Sequence, residues 1–175
     1  MADYKATTET GDCLFCKIVS GDVQTPGIFW ENDEFIAFLS IFPNTEGFTV
    51  LATKKHYGSD VLALPDDVLQ RMVLAAKKVA QILIAYFDDV GRVGLIMEGT
   101  GIDHAHIKLF PMHGTGYMKK GEWRQFHSNY DKYFEKYEGY ISSNDGPRAD
   151  DEEIKKLAEA LRKTAGRQQT PGVFV

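Results

Sequence analysis

Three side chains able to act on a phosphorylated ligand alternate along one short segment. His104, His106 and Lys108 are separated by single apolar residues. Because successive side chains of an extended strand point to opposite faces, this spacing predicts a β-strand with the three polar groups on one face and apolar residues on the core side. A neutral imidazole is a nucleophile near pH 7, and a lysine provides positive charge for phosphate oxygens. A half-buried strand with merely hydrogen-bonded histidines is the alternative, but a row of three such groups favours a site.

Composition restricts the classes of ligand. The chain has 175 residues, 43% of them hydrophobic and 26% charged, which is typical of one soluble domain with a sizeable core. Its formal net charge of -5 argues against a broad nucleic-acid surface, since binding a phosphate backbone needs excess positive charge. No stretch approaches the roughly 20 apolar residues of a membrane span, and residues 1–11 lack the apolar region of a signal peptide. We therefore expect a cytoplasmic protein with a small-molecule ligand, and neither a nucleic-acid polymer nor a membrane as partner.

A pair of cysteines near the N-terminus is the second chemical signal. Two residues separate Cys13 from Cys16, a spacing that brings two thiolates close enough to bind one tetrahedral zinc ion. Two further ligands are needed, and His56 and His104 are the candidates. With four protein ligands the zinc would be structural, because no coordination position stays open for catalysis. Two unrelated buried thiols, or thioredoxin-like redox chemistry without its usual βαβ pattern, are the alternatives.

The rest of the chain divides into elements that would position these groups. Asp12 is predicted to cap a short helical turn that begins at Cys13. Four short β-rich runs predict strands, the first two as a hairpin, at 27–30, 34–39, 48–53 and 90–97. A long helix with one apolar stripe opens after Pro65. A last helix is predicted at 150–164, with Gly166 ending it.

Composition also predicts how the chain is divided. We expect a flexible tail, a main domain, an aromatic-rich extension, a linker, and a C-terminal helix with its tail, at 1–11, 12–115, 116–141, 142–149 and 150–175. The extension carries aromatic residues, several at helical spacing, namely Trp123, Phe126, Tyr130, Tyr133, Phe134, Tyr137 and Tyr140. Such a stripe usually packs on a domain surface or on a partner subunit. The extension is therefore expected to pack on the main domain or on a partner subunit, and stacking on a nucleotide base is the less favoured use.

The row of polar groups resembles the signature of the histidine triad (HIT) family of nucleotide hydrolases and transferases. That signature is His-apolar-His-apolar-His followed by two apolar residues, and the chain matches it from His104 to Phe110 with Lys108 in place of the third histidine. In the family the middle histidine attacks the α-phosphorus of a nucleotide and forms a transient nucleotidyl-histidine that water hydrolyses. The resemblance assigns this role to His106. It covers roughly residues 12–115.

The resemblance also implies a fold and a set of ligand contacts. The HIT domain is an α+β fold, a mostly antiparallel sheet with one long helix, and it is commonly paired as a homodimer; here it would carry a helical C-terminal extension. Positions that match the family's base and ribose pocket are Leu14, Phe15, Ile18, Phe38, Ser40 and Ile41. Relatives often have aspartate at the position of Ser40 and asparagine at that of Met97. Many microbial members hold zinc with a Cys-x-x-Cys pair and two histidines that match His56 and His104.

Together these features predict hydrolysis or transfer at the α-phosphate of a purine nucleotide conjugate, such as a diadenosine polyphosphate or an adenylate phosphoramidate. His106 would attack phosphorus, while Lys108 and backbone amides near Thr100 and Gly101 would stabilise charge on the phosphoryl oxygens. Two other classes stay open. One is a zinc-stapled nucleotide-binding or scaffold protein with little turnover. The other is a metallohydrolase in which His104 and His106 bind a catalytic metal.

Overall fold

An antiparallel sheet positions the residues that the sequence singles out. The computed structural model describes residues 12–124 and 146–168, with side chains to residue 167. Its five strands are β1 (Ile28–Glu31), β2 (Phe35–Leu39), β3 (Thr49–Thr53), β4 (Val93–Ile96) and β5 (His106–Pro111). They are ordered β1-β2-β3-β5-β4 in the sheet, and every hydrogen-bonded pair is antiparallel. The predicted α+β fold with a mostly antiparallel sheet is confirmed.

The two faces of β5 pack against different parts of the molecule. Ile107 and Leu109 are fully buried in the main core, together with Ala105 just before the strand. His106 and Lys108 lie on the opposite face, where a second, smaller core packs beneath the N-terminal helix. The alternation predicted for this segment is therefore confirmed, although the regular strand begins only at His106.

The long helix α2 (Asp66–Tyr86) covers the main core. It begins where two acidic side chains, Asp66 and Asp67, favour the positive end of the helix dipole. Its buried stripe recurs at helical spacing, at Val68, Met72, Ala75, Ala76, Val79, Ile82 and Leu83. Since β-strand and helix stripes bury each other, this contact fixes the orientation of β5 and of the polar row on its other face.

The N-terminal helix α1 (Leu14–Ser20) brings the two cysteines to the sheet. The N-cap residue of this helix is Cys13 rather than the predicted Asp12, and its side chain forms no capping hydrogen bond. Asp12 instead lies 3.8 Å from the ammonium of Lys17. Gly21 ends the helix in a left-handed conformation, with φ of 84°.

The C-terminal helix α3 (Asp151–Gln168) packs on the main core beside α2 and β1. Asp150 caps it, since its Oδ1 accepts hydrogen bonds from the backbone N–H groups of Glu152 and Glu153 at 3.0 and 3.1 Å. The buried side is formed by Ile154, Ala158, Leu161 and Ala165. The helix continues through Gly166, so the predicted end there is wrong. One glycine in a last turn costs only about 1 kcal/mol, which the packing of this face exceeds.

Two further sequence expectations differ from the structure or lie outside it. Strand β4 is shorter than predicted, because the backbone N–H of Gly91 donates to Thr115 Oγ1 at 2.9 Å instead of joining a strand. Trp123 is 77% exposed. The tail at 1–11 and the aromatic residues after Trp123 lie outside the described residues. Within the described parts of the chain, no helix combines the length and the apolar character needed to cross a membrane.

Candidate active site and metal cluster

A cavity of about 340 Å³ opens on the sheet face that α1 covers. Ten residues proposed from the sequence for catalysis or ligand binding line it: Leu14, Phe15, Ile18, Phe38, Ser40, Ile41, Thr100, Gly101, His106 and Lys108. Sequence reasoning missed other lining residues, among them Phe48, Val50, Arg148 and Asp151. The alternation of side chains along β3 could have indicated Val50. In the sheet it pairs with Phe38 on one side and with Lys108 on the other.

His106 is buried in this cavity and has a defined tautomer. Its Nδ1 lies 2.7 Å from the carbonyl oxygen of His104, and because a carbonyl only accepts, Nδ1 must carry the proton and donate. The lone pair is therefore on Nε2, to which no described residue forms a hydrogen bond. Burial lowers the pKa of His106 below its ordinary value, and the charge of Lys108 acts in the same direction. The ring is thus neutral near pH 7, and its centroid lies 5.3 Å from that of Phe15.

Lys108 forms an ion pair with Glu98, a residue that the sequence reasoning assigned no role. The Glu98 side chain is only 4% exposed and that of Lys108 17% exposed. The second carboxylate oxygen, Oε2, is buried and accepts no hydrogen bond within the described residues. Glu98 follows β4, in which Ile96 pairs with Lys108, so continuing that register places position 98 opposite His106.

A glycine turn carries the chain from β4 to the cavity. Gly99 and Gly101 have φ values of 66° and 95°, a region that side chains with a Cβ rarely adopt. At Gly99 a Cβ would also come within 2.8 Å of the carbonyl oxygen of Ser59. The turn therefore requires glycine at position 99, and the next two residues, Thr100 and Gly101, line the cavity.

The four residues predicted as metal ligands converge beside the cavity. One donor atom from each of Cys13, Cys16, His56 and His104 lies within 4.8 Å of all the others. The sulfur of Cys13 is 3.2 Å from His104 Nδ1, and the sulfur of Cys16 is 3.4 Å from His56 Nδ1 and 3.6 Å from His104 Nδ1. A tetrahedral zinc ion separates its sulfur and nitrogen ligands by about 3.6 Å, given its usual bond lengths. The cluster therefore fits one such ion.

The protonation of His104 also suits a ligand. Its Nε2 donates to the backbone oxygen of Thr53 at 2.7 Å, which leaves the Nδ1 lone pair facing the two sulfurs. Burial lowers the pKa of His104 to about 4, so the ring is neutral. Burial, together with neighbouring Cys13, raises the pKa of the Cys16 thiol to about 11. A bound cation would reverse that shift and hold the sulfur as thiolate.

Met97, the position compared with an asparagine of relatives, and His113 lie outside this cavity. Met97 packs against the main core. His113 lies beyond β5, where its Nδ1 is 3.0 Å from Asp89 Oδ1 and its Nε2 is 3.0 Å from the backbone oxygen of Glu46.

Both nitrogens of His104 are engaged, with Thr53 and with the cysteine sulfurs, so a second metal shared with His106 would have no nitrogen of that ring to bind.

Fold and site together define a class: an α+β domain with a neutral imidazole in a sheet-face cavity and a Cys₂His₂ cluster beside it. The sequence profile of the HIT domain matches residues 23–114. The chain belongs to the HIT domain family.

Individual relatives agree with this assignment. An uncharacterized HIT-like protein of Methanocaldococcus jannaschii is 30% identical over 113 residues, which cover 62% of this chain and 85% of that protein. An adenosine 5'-monophosphoramidase of Candida albicans is 29% identical over 57% of this chain and 69% of its own length. The crystal structure of a zinc-bound histidine triad family protein from Mycobacterium smegmatis has a TM-score of 0.56 at 19% identity. It covers 91% of this chain and 97% of that one, which shows that the fold is similar.

Proposed function

We propose that this protein catalyses hydrolysis or group transfer at the α-phosphate of a purine nucleotide conjugate. The reaction would pass through a nucleotidyl-histidine intermediate at His106. The observation that carries the proposal is the neutral ring of His106, a residue that lines the cavity and whose Nδ1–H is held by a carbonyl, which leaves the lone pair on Nε2. The name of the Candida albicans relative supports a nucleotide phosphoramidate as one substrate type. A diadenosine polyphosphate is the other.

In this mechanism Nε2 of His106 attacks the α-phosphorus, and the bond from phosphorus to the leaving group breaks. The leaving group takes up a proton from solvent. A water molecule then adds its hydroxyl group to phosphorus and returns a proton to solvent as the phosphorus–nitrogen bond breaks, which releases a nucleoside monophosphate and restores the neutral imidazole. Lys108 and the backbone amides of the turn at Thr100 and Gly101 would stabilise negative charge on the phosphoryl oxygens. Phe15 and Phe38 would contact the base, since both line the cavity.

Substitution of the nucleophile tests this function. His106→Ala should abolish release of nucleoside monophosphate from a panel of adenine and guanine dinucleotides and phosphoramidates, while nucleotide binding measured by calorimetry survives. His113→Ala is the matched control, because that imidazole is held by Asp89 outside the cavity. Mass spectrometry of quenched wild-type reactions should find phosphorus attached to His106. Turnover that persists in His106→Ala would contradict the mechanism.

A nucleotide-binding or scaffold role with little turnover is the second candidate. The ion pair between Lys108 and Glu98 favours it, because a carboxylate beside the ammonium reduces the positive charge offered to a phosphoryl group. The same panel separates the two candidates. A wild-type protein that binds nucleotides but releases no monophosphate from any substrate would support the scaffold.

We also propose that Cys13, Cys16, His56 and His104 bind zinc as a structural ion. Zinc would supply the cross-link between α1, the segment after β3 and the start of β5, while the four residues complete its coordination. Cys13→Ser should lower both the metal content of the purified protein and its melting temperature. His56→Ala should do the same, whereas the control His113→Ala should leave the metal content unchanged. Equal metal content in all variants would contradict this assignment.

The homodimer implied by the resemblance and the cytoplasmic location expected from composition remain predictions. Sedimentation of the purified chain would test the first, with a mass of twice 19.7 kDa as the expected result. Fractionation of the source cells would test the second.

A further inference from the structure

The C-terminal segment reaches the ligand cavity although it lies outside the family's matched region. Arg148 and Asp151 line the cavity together with Ser40, whereas the HIT profile ends at residue 114. Two backbone hydrogen bonds hold the segment against the loop after β2. Gly146 N–H donates to the Phe42 oxygen at 3.3 Å, and Ala149 N–H donates to the Ile41 oxygen at 2.8 Å.

The C-terminal segment forms one wall of the cavity, and two further contacts fix its position. A Cβ at Gly146 would approach the carbonyl oxygen of Pro43 to 2.0 Å, so the contact requires glycine. Farther along α3, Arg162 donates to the carbonyl oxygen of Ile28 on β1, at 2.8 Å from its Nε. The segment is therefore attached to the sheet on both sides of Arg148 and Asp151. These attachments hold the two charged residues in place at the cavity.

Asp151 is the single acidic side chain among the described residues that line the cavity. Arg148 Nη2 donates to its Oδ1 at 2.8 Å, and no other described residue bonds to that carboxylate. Asp150, not Asp151, caps the helix. The carboxylate is about half exposed, so it is both oriented by Arg148 and accessible to a ligand.

The pair lies at the end of the cavity that is remote from His106. In the sheet, Ile36 pairs with Ala52 and Ala52 with His106. Ser40 is four residues beyond Ile36 and two strands away from β5. At about 3.3 Å per residue and 4.8 Å per strand, its backbone lies roughly 16 Å from that of His106. If the phosphorus of a nucleotide is at His106, a nucleoside part that follows the cavity would extend toward this end.

The polar groups at this end suit hydroxyl groups. A sugar hydroxyl both donates and accepts a hydrogen bond, and the carboxylate of Asp151 accepts while the guanidinium of Arg148 donates. Ser40 Oγ already accepts the backbone N–H of Phe42 at 3.1 Å, which leaves its own O–H as a donor. Without Asp151, the described lining would offer the sugar no charged acceptor.

We propose that Asp151, oriented by Arg148, accepts hydrogen bonds from the sugar hydroxyls of the bound nucleotide and makes the site select ribonucleotides. This inference rests on the proposed nucleotide function and deepens it. It places a specificity-determining residue on the C-terminal helix, and it assigns Arg148 the role of a positioning residue.

Calorimetry with AMP and 2'-deoxy-AMP on the full chain tests the proposal. Wild type should bind AMP about tenfold more tightly or better, as expected for one hydrogen bond to a charged group. Asp151→Asn should bring the two dissociation constants to within about twofold, mainly by weakening AMP binding. Glu152→Gln is the matched control, since it removes the same charge one residue away, outside the cavity lining, and it should keep the wild-type ratio.

A second variant tests the position of the wall without changing any charge. Gly146→Ala should push the segment from Pro43 and lose the preference for AMP, while Asp150 still caps α3. An unchanged ratio in Asp151→Asn would overturn the proposal, and so would a wild type that binds both nucleotides equally. In the latter case the proposed function stands, whereas a wild type that binds neither nucleotide contradicts both. If Asp151→Asn instead loses a preference for AMP over inosine monophosphate, the carboxylate reads the base, and the proposal is wrong.

Discussion

Removing only Lys108 from the ion pair that it forms with Glu98 should destabilise the fold more than removing both charges. Lys108→Met leaves a carboxylate that is 4% exposed, with one oxygen already lacking a described hydrogen-bond partner. Breaking a buried ion pair in this way costs about 3–5 kcal/mol. Glu98→Gln should cost less, about 1.5–3 kcal/mol, because the amide still accepts a hydrogen bond and the long lysine side chain can extend toward water.

The double variant Glu98→Gln with Lys108→Met carries no buried charge at these positions. Replacing a buried pair by hydrophobic groups of similar volume is often close to neutral. The double variant comes near to this case, because only one uncharged amide remains. We therefore expect the double variant to be more stable than Lys108→Met alone. Urea denaturation of all four proteins, at one metal concentration, gives the free energy of unfolding of each and the coupling energy between the two residues.

The control for this cycle is the less buried pair of Lys54 and Glu31, whose nitrogen and oxygen are 2.8 Å apart and whose side chains are 27% and 57% exposed. Substitution of Glu31 by Gln should change the free energy of unfolding by less than about 1 kcal/mol, as is usual at a surface. If the substitutions at Glu98 and Lys108 cost no more than this and add independently, the buried ion pair contributes nothing, and the reasoning fails.

Two further predictions concern the core and the pH dependence of stability. Ile107→Ala should lower the free energy of unfolding by about 2–5 kcal/mol, whereas Leu62→Ala, at a side chain 73% exposed, should change it by less than about 0.5 kcal/mol; comparable effects in urea denaturation would contradict the core assignment. Burial disfavours the charged form of His113, but the Glu46 carbonyl and Asp89 outweigh it and raise its pKa above 6.5. This stabilisation is fully present below pH 6.5 and is lost as the pH rises through the folded-state pKa, so Asp89→Asn should destabilise more at pH 6 than at pH 8. NMR titration should show a lower His113 pKa in that variant, and an unchanged value would count against the pair.

The parts of the fold that follow from local periodicity were predictable. Alternation around Ile107 indicated both the strand and the side of it that is buried, because one face of β5 meets the stripe of α2. The spacing of Cys13 and Cys16 likewise indicated that their sulfurs could approach each other from one short helix. Both features depend only on residues that are close in sequence, so a single sequence is enough to predict them.

Features that depend on register or on docking were not predictable. Glu98 reaches Lys108 only because Ile96 pairs with that lysine, and the pairing of two strands joined by a glycine turn is not visible in either strand alone. Asp151 reaches the cavity because α3 packs on the core through Leu161. This helix lies more than 100 residues after β2 in the sequence, so the contact between them is not visible in either segment. The acidic neighbours of Asp151 in sequence gave no reason to separate it from an ordinary solvated helix start.

The metal cluster and the proposed nucleophile are joined through two shared groups. The ring of His104 faces the cysteine sulfurs, while its backbone oxygen accepts the Nδ1 proton of His106 and so selects the tautomer of that ring. Phe15, which lies between the two cysteines in sequence, packs edge to face against both imidazoles, with centroid distances of 5.7 and 5.3 Å. A zinc ion bound by the cluster would therefore fix the orientation of His106 without touching it. In the proposed function, His104 would be the fold-stabilising metal ligand and His106 the group that attacks phosphorus.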